Sequence, residues 1–446
     1  MNLILVIFSL PFLFLAWKNF RWAIFLFVGL LPTYLIRFEL FQIGKYPFPS
    51  TLLEITFGLL FLVWLVKYSR QDWQEITGTV KRHKLFFLAV AVFFVSSVIS
   101  IFVSDMAFFS LGEWRAYFLE PMILFLIILG RKKTFKTNDL IWVLAVSTLS
   151  ISIFSVVQKF TGWGIATPEW ANEATRRVTA FYTSPNAVGL YLAPILMLMF
   201  SVIAKPIKSA EAIPQKKGVL NFLGLLRHPA TAGLLAMTIL TVLALTFTKS
   251  QGAWIAVGAG VLVLLFFIGY KKITIGLAIA GIIFSLIVPS VQEGVLFKDP
   301  AGKNRLRLWG YSWTFLKQNP KNFMLGTGVR QFFRKIQKPY YDTKVMERLI
   351  YPHNIFLNFW TEIGLFGMLA IVFVLGYATY LSNKVRQNNR IIGAGLLAMI
   401  TALVVHGLVD VPYFKNDLAF LFWILIATVF VAYVNIYQSQ ADGLRK

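Results

Sequence analysis

The chain has 446 residues, 58% hydrophobic, 16% aromatic and 14% charged, with a formal net charge of +24. Its mean hydropathy of +0.70 excludes an ordinary soluble domain, in which roughly half the residues are apolar. Zero cysteine excludes disulfides, thiolate metal sites and cysteine nucleophiles. The basic surplus is split into short clusters between apolar stretches, which argues against a nucleic-acid partner.

Apolar stretches recur from end to end, each about 16 to 24 residues long and so able to cross a hydrocarbon core about 30 Å thick. Thirteen are counted, centred near residues 10, 29, 59, 93, 122, 148, 195, 239, 261, 281, 367, 400 and 426, the first two being short. The expected fold is an all-α polytopic membrane protein with about 12–13 transmembrane helices. The first stretch, LILVIFSLPFLFLAW, lacks a basic leader and a small-residue cleavage site, so it is expected to stay as a helix. Lys18 with Arg21, the run 67–84, RKKTFK at 131–136, KPIK with QKK and Arg227, the pair at 271–272 and KVRQNNR at 384–390 fall in alternate loops. The positive-inside rule places those loops in the cytoplasm. The carboxyl terminus then lies inside and, with thirteen helices, the amino terminus outside; a re-entrant hairpin in the first two segments would change that parity.

Four histidines, at 83, 228, 353 and 406, show no metal-ligand spacing, and no metal or cofactor is expected. His83 and His228 fall in cytoplasmic loops, where replacement is expected to do little. In the fifth segment Glu113, Arg115 and Glu120 (LGEWRAYFLEP) form a charged point expected to pair internally.

Two outer loops, about 158–186 and 289–353, exceed the roughly 12–15 residues beyond which loops usually carry function or disorder. The first holds Arg176 and Arg177 in EATRRVTAFYTSPNAVGLYLAP, and its SPN starts the next helix with Asn186 at the amino end. Arginine suits bidentate phosphate binding; the alternative for any one of them is a snorkelling cation that steadies the interface. Lys249, in LTFTKSQGAW, sits on a short outer turn from which a cation reaches a headgroup. The second loop holds twelve Lys or Arg against four acids, which suits an anionic ligand or anionic lipid headgroups. It divides the chain into a membrane domain 1–288, an extracytoplasmic loop 289–354 and three last helices in 355–446.

Within that loop RLRLWGYSWTFLKQNP reads as an interfacial helix ended by Pro320, with Leu306, Trp309, Trp313 and Leu316 on one face and Arg307, Thr314 and Lys317 opposite. MLGTGV is either a plain turn or a glycine-rich approach to a phosphate. His353 and Asn354 then open a helix behind Pro352, whose amino end contributes partial positive charge. An imidazole, with an ordinary pKa of about 6.5, is suited to take a proton from a sugar hydroxyl at neutral pH; the alternative is an interfacial histidine making one hydrogen bond. His406 and Asp410 (VVHGLVDVPYF), four residues apart, are expected to share a helix face, either as a structural pair or as support for the site.

The segments RRVTAFYTSPNAVGLYLAP, TFTKSQGAW, RLRLWGYSW with LGTGVRQF, YPHNIFLNFWTEIGLFG and HGLVD occur in the order seen in the O-antigen ligase family. Over about residues 110 to 430 the chain resembles that family, which includes O-antigen polymerases and pilin glycosyl-transfer ligases. The resemblance implies a GT-C type, metal-independent, inverting glycosyltransferase, acting at the outer face of the plasma membrane. It would take a glycan from undecaprenyl diphosphate to a hydroxyl of a glycan, lipid or protein acceptor. The resemblance maps the family histidine onto His353, as base or acceptor activator, and a loop arginine four residues before a tryptophan onto Arg305, which would stabilise the departing diphosphate. The family's other frequent basic residue, in a Ser-Arg-Gly-Ala or Ser-Lys-Gly-Ala turn, falls on Gln251, a departure for which Lys249 is the candidate substitute. Arg176, Arg177, Arg307 and Asn354 complete the expected substrate contacts. A diphosphate leaving group needs either a metal or fixed cations, and no outer loop carries an acidic cage such as DxD. Two other readings stay open: a repeat-unit polymerase with the same donor and fold, and a polytopic transporter or lipid flippase, whose charges would lie near the midplane.

Overall fold

The computed structural model describes residues 2–44, 46–204, 229–342 and 347–443. The basic segment with KPIK, QKK, Arg227 and His228 lies outside the described residues. The architecture is all-α, and each of the thirteen predicted centres falls in a helix. Among the described residues the helices of eight or more residues are α1 (Asn2–Lys18), α2 (Phe20–Gly29), α3 (Leu52–Lys67), α4 (Ser69–Arg82), α5 (Lys84–Val103), α6 (Ala107–Trp114), α7 (Glu120–Gly130) and α8 (Thr137–Thr161). They continue with α9 (Pro185–Ile203), α10 (Pro229–Thr248), α11 (Gln251–Ile268), α12 (Lys271–Ile287), α13 (Pro300–Lys317), α14 (Ile355–Asn388), α15 (Arg390–Gly407) and α16 (Asn416–Gly443).

Among the described residues seven helices are long and apolar enough to span a membrane, or up to nine if each of two bent pairs is one span. The predicted twelve or thirteen counted apolar runs, whereas crossing about 30 Å at 1.5 Å per residue needs about 20 residues of continuous helix. Ile7–Lys18, Phe20–Gly29 and Ala232–Thr248 are shorter than that. The fifth segment is interrupted by a π-turn over Arg115–Leu119. In the first bent pair the chain turns by 93° after Lys67, because SRQDWQEITGTVKR has only one apolar side. Helix α4 turns Asp72, Ile76 and Thr79 inward and leaves Trp73 exposed.

Helix α16 is apolar around its whole circumference, and from Leu418 to Ala432 nearly every residue is buried, the mark of a central helix. Helices α9 and α15 are likewise mostly buried, and α15 packs against α9, α11 and α14. By contrast, α12 buries only Thr274 and exposes Ile275, Ile279, Ile282 and Leu286, a surface that lipid solvates. One feature was not expected: Arg37–Ile43 and Tyr46–Thr51 pair as an antiparallel hairpin, Arg37 opposite Thr51. Pro47 and Pro49 cannot donate ladder bonds, so this strand can only be an edge. Thr51 then starts α3 through a reciprocal cap with Glu54.

Candidate functional site

Helix α13 starts at Asp299, whose carboxylate accepts from the Gly302 amide at 3.1 Å, with Pro300 in the first turn. Its buried row is Leu308, Ser312 and Leu316, and Leu308 clusters with Phe332 and Ile336. This corrects the expected face, since Leu306 and Trp313 are exposed. Trp309 and Arg305, one turn apart, are instead committed to two polar contacts. The Trp309 indole donates to the Pro352 carbonyl at 2.9 Å, and Arg305 Nε donates to the Val409 carbonyl at 2.9 Å. One helix face therefore ties the segment before α14 to the turn after α15.

Those two segments meet at His353 and Asp410, with Nδ1 to Oδ1 at 3.3 Å. The same carboxylate oxygen accepts from the Val411 amide at 2.9 Å. Asn354 is used at both ends: its oxygen caps α14 at the Leu357 amide, 3.0 Å, and its amide donates to the Leu408 carbonyl, 3.0 Å. His353 itself has φ +53°, a left-handed conformation that costs a non-glycine residue free energy and persists where the surroundings hold it. The Trp309, Asp410 and Asn354 bonds are those surroundings. With Nδ1 against the carboxylate, Nε2 is the ring atom left for chemistry, while Tyr351 meets the ring at 5.0 Å between centroids.

Asp410 is buried. Burial alone pushes its carboxyl up, but the charge and hydrogen bond of His353, with His406 and the Val411 amide, more than offset this and hold it well below the usual carboxylate range. The His406 ring is not the carboxylate's hydrogen-bond partner, although the Asp410 amide donates to the His406 carbonyl at 3.0 Å. Helix α15 ends at Gly407 and Asp410 lies in the following turn, where its carboxylate turns to His353 rather than to the His406 ring. The buried His406 ring instead packs against Gly189 and Gly252, where an added Cβ would approach it to 3.1 and 3.2 Å. Its Nδ1 has no hydrogen-bond partner among the described residues.

The remaining candidates separate clearly. Arg177 donates from Nε to the Thr248 carbonyl at 2.9 Å and from Nη2 to Asn186 at 3.4 Å. It thus borders the turn that leads through Ser250 to Gly252 and His406. Arg176 is buried, with Nε on the Ala171 carbonyl and Nη1 on the Lys159 carbonyl, so it closes its own loop. Lys249 is exposed at φ +50°, Gln251 lies against Gly294, and Arg307 is exposed. Arg305, His353, Asn354, His406 and Asp410 come together; Arg176 and Arg307 do not join them.

The glycine turn is a packing device. Gly326 and Gly328 have φ +69° and +85°, and both are buried. A Cβ on Gly328 would lie 2.6 Å from the Ser104 nitrogen and 2.7 Å from the Ser100 carbonyl, leaving no room for a phosphate. Thr327 between them donates its amide and hydroxyl to the Thr361 carbonyl at 2.7 and 2.9 Å. Nearby, Arg330 pairs with Glu113 at 3.2 Å and Lys335 with Asp105 at 2.9 Å, so two of the loop's cations pin it to the bundle. Arg115 pairs with Glu120 at 2.6 Å and Glu54 at 3.1 Å; the expected internal pairing holds for those two, while Glu113 turns to the loop.

Sequence reasoning missed the contact roles of Trp309 and of the 407–411 turn. The available signal was the end of the apolar run at HGLVD, which marks a helix terminus as readily as a continuing face.

Residues 236–372 match a family model described as O-antigen ligase. That span includes Lys249, Arg305, Trp309, His353 and Asn354, while Arg176, Arg177, His406 and Asp410 lie outside it. No curated protein matches the chain. With its apolar helices and this match, the chain is a multi-pass membrane protein in which residues 236–372 are similar to the O-antigen ligase family.

Proposed function

We propose that the protein transfers a glycan from undecaprenyl diphosphate to an acceptor hydroxyl at the outer face of the plasma membrane, without a metal and with inversion. The observation that carries this reading is the His353–Asp410 pair held at 3.3 Å beside Arg305. In the proposed step the acceptor oxygen attacks the anomeric carbon and its proton passes to His353 Nε2. The bond from that carbon to the diphosphate oxygen breaks, and the electron pair leaves with the diphosphate. Asp410 orients the ring and balances the positive charge it gains, as a carboxylate behind a catalytic histidine does.

Arg305 spends Nε on Val409, while its two terminal nitrogens face no acceptor among the described residues. They are the donors that fork onto a phosphate, and they would meet charge as it develops on the leaving group. No group of three or more carboxylates or histidines placed to hold a metal ion occurs among the described residues, which favours cations in this role. Membrane lipids surround the donor's tail. The outer-face assignment is supported by the basic clusters at Arg82, Lys132–Lys133 and Lys384–Arg390, which lie at the other end of the same helices.

The test is a reconstituted assay with an undecaprenyl diphosphate glycan, with and without acceptor, in excess chelator. One-step capture by the acceptor marks a ligase, and chains that lengthen without acceptor mark a polymerase. Donor binding without transfer under either condition would refute the assignment.

A further inference from the structure

The end of the bundle opposite His353 holds a cavity of about 580 Å³ lined by Glu75, Arg82, Lys132, Lys133, Tyr433 and Tyr437. Helix α4, lying across the helix ends after its 93° turn, forms one wall. Its exposed Trp73 is the residue type that settles at a membrane–water interface. Three cations face one carboxylate. Lys132 is buried and fixed, its ammonium 3.0 Å from Glu75 and 3.3 Å from the carbonyls of Glu75 and Leu129. Lys133 shares the same carboxylate at 2.5 Å. Arg82 is exposed and bonded to no acceptor among the described residues. The wall opposite is the Tyr433–Tyr437 pair, with ring centroids 4.5 Å apart.

The cavity therefore carries a surplus of two positive charges and offers aromatic walls. Its chemistry selects a phosphate ester. Its place beside an interfacial helix selects the lipid form, since basic pockets between transmembrane helices take acidic headgroups. We propose that this cavity binds an anionic phospholipid of the adjacent leaflet, its phosphodiester held by Arg82 and Lys133 with Lys132 adding fixed positive charge behind them, and its glycerol against the two tyrosines. This site is separate from the His353 site and does not rest on the transfer reaction.

The experiment measures binding of short-chain phosphatidylglycerol and phosphatidylcholine to the purified full chain by native mass spectrometry. The wild type is expected to prefer phosphatidylglycerol. Each cation near an anionic headgroup contributes about a factor of five in affinity, so R82A with K133A should weaken phosphatidylglycerol about 25-fold and leave phosphatidylcholine unchanged. Should the double substitution unfold the protein in a thermal melt, R82A alone, which removes no ion pair, must still weaken it about five-fold. Equal affinity for the two lipids, or unchanged binding in R82A, would overturn the proposal. So would displacement of phosphatidylglycerol by millimolar inorganic phosphate, which would reveal a soluble-anion site.

Discussion

Replacing Asp410 by asparagine removes one charge and almost no volume. The asparagine oxygen can still accept from the Val411 amide, now at 2.9 Å to Asp410, so the turn keeps its local bond. What is lost is the ionic partner of His353 Nδ1, now at 3.3 Å. A hydrogen bond to a charged group contributes about 1.5–3 kcal/mol, which corresponds to about 10- to 150-fold in kcat/KM. His353→Ala should cost more, about 10²- to 10⁴-fold, because it removes the proton acceptor. If Asp410 acts only through His353, the double variant will be no slower than His353→Ala alone. The assay is glycan transfer by purified variants in lipid, with donor binding measured in parallel. Full multiplication of the two losses in the double variant would refute the reasoning. The pH dependence of stability adds a check. A carboxyl whose folded pKa is depressed stabilises fully above its unfolded value, about 3.9, and loses that contribution as pH falls through the folded value. The Tm gap between wild type and Asp410→Asn should therefore close only below about pH 4.

Arg305→Lys should lose most transfer although charge is kept, because lysine cannot both hold the Val409 carbonyl and fork onto a phosphate; Arg307→Lys, on an exposed position, should retain near wild-type transfer in the same assay. Single cysteines at Lys321 and Gln74, probed in intact cells with an impermeant reagent, should react only at Lys321; the reverse pattern inverts the topology. His83, expected from its loop position to be replaceable, is buried, bonded to the Tyr377 hydroxyl at 2.8 Å and ringed by Phe430 and Tyr433. His83→Ala should destabilise by about 2–4 kcal/mol, read as a lowered melting temperature in lipid.

The helices and several of their ends were legible because they are local. Apolar runs satisfy their own backbone bonds in lipid, and Ser184 before Pro185 or Asn354 before Ile355 caps the chain from within a few residues. The ingredients of the site were legible for the same reason, as polar residues at helix mouths. Which residues pair was not. His353 meets Asp410 across 57 positions, and Arg305 meets the Val409 carbonyl only because α13 presses its Leu308 row onto Phe332 and Ile336. Periodicity reports that a helix face is apolar, but in a membrane lipid and protein neighbours are equally apolar, so the pattern does not say which face turns inward. The tertiary structure decided that, and with it the burial of His83, the packing role of Gly326 and Gly328, and the pairing of Asp410 with His353 rather than His406.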